Sequence, residues 1–238
     1  MTNPSKISKS LKSTFGEIIK IVFGILIALQ INAWSDQSKQ NKEEIRILQN
    51  LSVDLTNDMS QLENNVRSAE ERQLKIDTIF TILNAPKEYD VNKFLRLNFV
   101  LANENHFDLN SGTFDESMAA GTVNCIQTHS IRQQIFNYYR ITKRNYTDNN
   151  TIKQIYENIY PQFFKTLVPS QEFIGSILNK PSHLPNLKIE TLALDKEYIS
   201  ILTLKHRTEY HQILGWKKYI KLVKSLLKNI EKELKDKK

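Results

Sequence analysis

The sequence predicts an all-α fold in which one N-terminal transmembrane helix continues into an elongated, coiled-coil-like helical bundle. Three observations predict it. Residues 15–34, FGEIIKIVFGILIALQINAW, form an apolar run in which Lys20 and Gln30 are the only strongly polar residues from Ile18 to Ile31. The following stretch, 35–84, contains neither glycine nor proline. Across all 238 residues there are six glycines and six prolines, too few to punctuate a strand-and-turn architecture.

Residues 1–14 are rich in serine and lysine and are expected to form a short basic tail on the cytoplasmic side. The run 15–34 is expected to be the membrane span, since twenty helical residues cover ~30 Å, the thickness of a hydrocarbon core. Its polar residues sit where they cost least. Lys20 is one turn inside the edge, where its ammonium can snorkel outward, and Trp34 closes the far end as an interfacial aromatic. Lys20 and Trp34 are therefore the expected interface anchors. Two other readings of the run stand beside this one: a buried core helix, and a cleaved export signal with Lys6, Lys9 and Lys12 as its leader and Ala33 before the cut. Against cleavage, Ile31 occupies a position that wants a small residue. Within the span, Gly24 and Ala28 form a small-xxx-small pair, and Gln30 and Asn32 could hydrogen-bond across a partner helix, so these four mark the expected helix–helix contact.

Residues 35–238 are expected to be one helical extracytoplasmic domain with long helices over about 36–84, 128–165 and 195–236. In the first, apolar positions step by threes and fours through Ile45, Leu48, Ser52, Leu55, Met59, Leu62, Val66, Ala69, Gln73, Ile76, Phe80 and Leu83, one seam presented to a partner. Pro86 ends it. Val91–Ala102 reads as a shorter apolar helix. Thr113 and Glu116 have capping-box spacing, and Gly121 suits a helix stop. The helix from 128 carries Ile131, Ile135, Tyr138 and Tyr139, with Pro161 kinking or ending it. Residues 170–178 suit a short helix, and KPSHLPNL with Pro181 and Pro185 is a loop. Asp195 is the expected N-cap of the last helix, whose apolar face includes Tyr198, Leu202, Ile213, Trp216, Val223, Leu227 and Ile230. Three long helices running up, down and up would leave the C-terminus far from the span. A further reversal among the short helices would return it, and the sequence leaves both topologies open.

The N-terminal stretch also carries a resemblance. Gly16-Glu17-Ile18, then Gly24 through Asn32, then Trp34 followed by Ser35-Asp36, resembles a signature of an uncharacterised family of single-span membrane proteins from Bacteroidetes-type bacteria. In that signature the tryptophan is followed by Asn-Glu. Beyond residue 65 the likeness rests on the turn at Ser111-Gly112 and on IRQQIFNYY. The resemblance implies a location and a build, and no activity.

Charge and chemistry narrow the function further. The net charge of +7 is unevenly placed: residues 1–20 carry +3, residues 217–238 carry +6, and the rest carry −2. Charged ends are not the basic, aromatic-interleaved groove that nucleic acid requires, so no nucleic-acid partner is expected. The Lys and Arg bias across the span favours an N-terminus in the cytoplasm and a C-terminal domain in the periplasm, anchored in the inner membrane. A single cysteine, Cys125, forms no internal disulfide.

No catalytic residue, metal ligand or cofactor site is expected. His206 and His211 in HRTEYH splay apart on a helix. Cys125 with His129 is half a zinc site, and DLNSGTFDE misses the glycine and glutamate positions of a calcium loop. No phosphate loop, G-x-S-x-G or H-E-x-x-H occurs. The expectation is a membrane-anchored protein, not an enzyme, that serves as an interaction or scaffold module for a protein partner or a second copy. The other class in view is a sensory or small-ligand module that signals through a partner.

Overall fold

The computed structural model describes residues 4–86, 89–98, 103–144, 157, 174–175, 178–180 and 187–237; for residues 4–19 and Asn92 it describes the backbone alone. Among these residues every regular element is helical. α1 runs unbroken over Pro4–Asn84, 81 residues and ~120 Å at 1.5 Å per residue. It begins inside the expected tail 1–14, because proline is tolerated in a first helical turn and nothing from Ser5 to Phe15 breaks a helix. It stops at Asn84, two residues before Pro86, as expected.

Among the described residues, no helix is long and apolar enough to cross a membrane. α1 runs unbroken through the expected span 15–34, and the described residues do not bear that stretch out as a membrane-crossing helix.

The seam of α1 is a heptad repeat, and its register differs from expectation. Leu48, Leu55, Leu62, Ala69, Ile76 and Leu83 are buried, as the spacing predicts. The other half of the seam lies one residue earlier than expected, at Glu44, Leu51, Asp58, Asn65, Arg72 and Ile79, all buried. Of the six positions expected there, only Val66 is buried; Ile45, Ser52, Met59, Gln73 and Phe80 are half-exposed. Four of the six true seam positions are polar or charged, which is why apolar periodicity passed them over.

After α1 the described residues make three further passes along it. α2 (Val91–Asn98) packs against the far end of α1 through Phe94 and Leu95. The continuation expected at 99–102 lies outside the described residues. The second pass is a strap, residues 103–111, with no helix at all. It descends α1: Asn105 meets Arg72, His106 meets Asn65, Asp108 meets Gln61, Asn110 meets Asp58, and Thr113 meets Asp54. From Arg72 to Asp58 is ~21 Å of helix against the five strap steps from Asn105 to Asn110, so the strap runs extended and the reach of the paired side chains makes up the difference.

α3 (Gly112–Ala119) and a 3₁₀ turn (Thr122–Cys125) carry the chain to the level of Glu44. The expected capping box at Thr113 and Glu116 is not formed. The cap position lies earlier, at Ser111, whose hydroxyl donates to Asp115 at 2.6 Å, while the Thr113 amide is taken by Asp54. Gly121 ends this segment at φ 72°, a left-handed geometry that suits glycine.

α4, described over 129–144, climbs again: Gln127 before it binds Glu44, and Tyr138 reaches Asp58. Of its expected course from 145 to 165 only Glu157 is described, and it is helical, as are the described residues 174, 175 and 178 of the expected helix at 170–178. Pro161 and most of the loop with Pro181 and Pro185 lie outside the described residues. α5 (Ile189–Leu194) precedes α6 (Lys196–Asp236), which is capped as expected by Asp195: one carboxylate oxygen accepts from the Glu197 and Tyr198 amides at 2.9 and 3.1 Å. α6 runs antiparallel to α1, pairing His206 with Asp77, Glu209 with Arg72, Lys224 with Glu63 and Lys237 with Glu44. Among the described residues the passes run up, down, up and down, and Lys237 stands at the level of Glu44, ten residues beyond Trp34.

Candidate functional site

The bundle has two apolar cores separated by a charged layer. The lower core gathers Leu48–Ala69 of α1, Tyr138 and Tyr139 of α4, and Trp216–Ile230 of α6. The upper gathers Ile76–Leu83, Phe94, Ile189 and Tyr198. Between them Arg72 of α1 donates to both oxygens of Glu209 at 2.8 and 2.9 Å, and Lys205 lies 2.7 Å from the same carboxylate. The Arg72 and Glu209 side chains are 6% and 0% exposed. Lys205 also donates to the Asn103 carbonyl at 2.8 Å, and Arg72 to the Asn105 side chain, so the layer holds the upper end of the strap. Burial holds the Lys205 ammonium below its ordinary range, with Glu209 opposing.

Lower down, the polar seam of α1 binds the strap as a neighbouring strand would. Asn65 donates to the His106 carbonyl at 2.8 Å, and the Gln61 amide both accepts from the Asp108 N–H and donates to its carbonyl. Buried Asp58 accepts from the Asn110 N–H, the Asn110 side chain and the Tyr138 hydroxyl at 2.9, 2.8 and 2.7 Å. Burial raises the Asp58 carboxyl above its usual range, and the three donors pull the other way without cancelling it. An extended segment in a helical bundle has no backbone ladder, and unpaired buried amides cost ~1–3 kcal/mol each. The side chains of α1 supply what a ladder would. At the lowest level Glu44, fully buried, accepts from the Gln127 amide at 2.9 Å and pairs with Lys237 at 2.7 Å.

The residues singled out from sequence fall elsewhere. Gly24, Ala28, Gln30 and Asn32 are exposed on a part of α1 that extends beyond the bundle, and a Cβ built on Gly24 meets nothing within 4 Å. The structure brings none of the four against another element. Lys20 and Trp34 stand on the same free stretch, with Trp34 74% exposed. Of the HRTEYH residues, His206 lies 3.2 Å from Asp77, His211 rings against Tyr210, and Glu209 turns inward as the buried carboxylate. Cys125, half-buried, ends the 3₁₀ turn, and His129 opens α4. Asp108 and Asn110 of the rejected calcium loop are strap residues bound to Gln61 and Asp58. No group of three or more metal-ligating side chains occurs among the described residues.

Sequence reasoning missed Glu44, Asp58, Asn65, Arg72 and Lys205, and met Glu209 only as a neighbour of His206 and His211 in HRTEYH. The available signal was the seven-residue spacing of Asp58, Asn65 and Arg72, with Glu44 two heptads before Asp58. A groove of about 790 Å³ between α3 and α4, lined by Phe114, Met118, Phe136 and Lys143, opens to solvent.

No curated protein and no solved structure matches this chain. A family model matches residues 17–168, well over half of the chain, from the first part of α1 through the polar seam, the strap and α4. The chain belongs to that family, a family of unknown function, DUF6090.

Proposed function

We propose that this protein is a membrane-anchored helical interaction module, held in the inner membrane by the N-terminal part of α1 with its bundle in the periplasm. The carrying observation is the stretch Ile21–Trp34. Nine large apolar residues there, Ile21, Val22, Phe23, Ile25, Leu26, Ile27, Leu29, Ile31 and Trp34, are 48–74% exposed. They occupy nearly consecutive positions, so they point all round the helix. An amphipathic helix would hide one side in the bundle, and a helix apolar all round requires an apolar surround. Residues 15–19, FGEII, supply the remaining length.

The interaction half of the reading draws on how the buried charges are used. Asp58, Arg72, Lys205 and Glu209 are each bound to other parts of the chain, which suits a rigid presenting scaffold better than a reaction centre.

Thiol topology mapping tests it. With Cys125→Ser and Lys238→Cys, a membrane-impermeant thiol reagent added to cells with a permeabilised outer membrane is expected to label the chain before lysis. The labelled chain is expected to stay in the membrane fraction after alkaline washing. Release by the wash removes the anchor, and labelling only after lysis inverts the orientation.

A further inference from the structure

The outward face of α6 carries a file of lysines that the fold does not use. Lys218, Lys221, Lys228, Lys232 and Lys235 are exposed, and none has an acidic partner among the described residues. Their neighbours on the inner flank do pair across to α1: Lys217 lies 2.6 Å from Glu70, and Lys224 lies 3.0 Å from Glu63. The steps from 218 through 221, Ser225, 228, 232 and 235 alternate three and four, so the file holds to one face for five turns, ~25 Å. Tyr210 and Leu214, 50% and 49% exposed, extend the same face upward. The acids nearest the file, Glu231 and Asp236, stand on its flank and in its last turn.

Three geometries could meet such a file. A lipid surface needs cations at one level, and Lys218 and Lys235 stand ~25 Å apart along an axis that runs with α1, away from the proposed membrane. A nucleic-acid backbone favours a broad basic surface interleaved with stacking aromatics, and the lysines here stand in single file. A helix repeats every seven residues, as Lys221, Lys228 and Lys235 do, and flanking charges at that interval set partner choice in paired helices.

We propose that this ridge docks an acidic amphipathic helix of a partner protein, with its carboxylates at heptad spacing opposite the lysines and an apolar residue against Tyr210 and Leu214. The proposal rests on the interaction reading above and names the surface and partner chemistry for it.

The test uses the full chain in detergent micelles and a synthetic four-heptad helical peptide with Glu at every seventh position and Leu at the end facing Tyr210. A peptide of the same composition with scrambled Glu spacing is the control. Fluorescence anisotropy is expected to show the matched peptide binding about tenfold tighter than the scrambled one, the yield of three exposed charge pairs. The combined Lys221→Glu, Lys228→Glu and Lys235→Glu variant is expected to lose that margin and keep its helical circular dichroism, since these side chains hold nothing in the fold. Equal binding of the two peptides overturns the proposal, as does a margin that survives the charge reversal. Tighter binding of anionic vesicles or of an oligonucleotide than of the matched peptide also overturns it. Any of these would leave the anchoring and the topology result untouched.

Discussion

The Arg72–Glu209 pair offers the sharpest test of the charged layer. Arg72→Ala removes two charge-assisted hydrogen bonds, 2.8 and 2.9 Å long, from a fully buried carboxylate and frees the Asn105 side chain above it. Glu209 keeps Lys205, an ammonium already disfavoured by burial. Removing one member of a buried ion pair costs ~3–5 kcal/mol, because the charge left behind has lost its water and its partner. At ~2–4 °C per kcal/mol for a chain of this size, the melting midpoint is expected to fall by roughly 6–20 °C. Glu209→Gln should cost a similar amount, since it leaves two buried cations facing one another. The double variant should cost less than the sum of the singles, with a coupling energy of ~1–3 kcal/mol. Trp216, 4% exposed in the lower core, reports unfolding by fluorescence once Trp34→Phe removes the exposed indole. The full chain is titrated with urea in micelles. A loss below ~1 kcal/mol for Arg72→Ala, or additive single variants, would refute the reasoning, because neither is compatible with a desolvated, mutually dependent pair.

Asp58 predicts a pH dependence of unusual sign. Its carboxyl is raised in the folded chain, so the native state binds this proton more tightly than the unfolded chain does. Its contribution to stability must therefore fall as pH rises through the window from about 3.8 to the raised value, and grow on acidification. Asp58→Asn should lose that acid-side gain, visible as a steeper decline of unfolding free energy with falling pH than in the parent chain. At the start of α6, Asp195→Ala removes an acceptor shared by two amides and is expected to cost ~1 kcal/mol, read as a lower urea midpoint with an unchanged slope.

What the sequence disclosed was what is local or apolar. The Asp195 cap, the stop before Pro86 and the apolar face of α6 depend on residues within a turn or two of one another, and all are where the pattern puts them. The seam of α1 was half legible. Leucines every seven residues from Leu48 fix one row, but the second row was drawn toward Ile45, Met59, Val66 and Phe80 because these are apolar. The true row needs Glu44, Asp58, Asn65 and Arg72 to be buried, which hydropathy forbids unless partners are known. The partners of Arg72, Asn105 and Glu209, lie 33 and 137 residues away, Lys237 stands farther still from Glu44, and no local pattern announces them. The capping box failed for the same reason: Asp54, remote in sequence, takes the Thr113 amide and moves the helix start upstream.

The polar seam and the direction of the bundle have one cause. A helix in the second pass would satisfy its own backbone and could pack against a wholly apolar α1. The strap cannot, so α1 must offer it an acceptor or donor at nearly every turn from Asp54 to Arg72. Heptad spacing places these groups in line because the strap runs along the seam rather than across it. Asp58 and Asn65 cost burial energy that leucine would not, and the strap offsets it only in the register where its groups meet them. A shift of the strap by one residue would turn the Asn65, Gln61 and Asp58 partners away together and strand two buried polar side chains, Asn65 and Asp58. The seam therefore fixes the register of the descending pass, and that pass sets the sense of α4. Lys237 closes on Glu44, and the lysine ridge of α6 is held along the bundle axis.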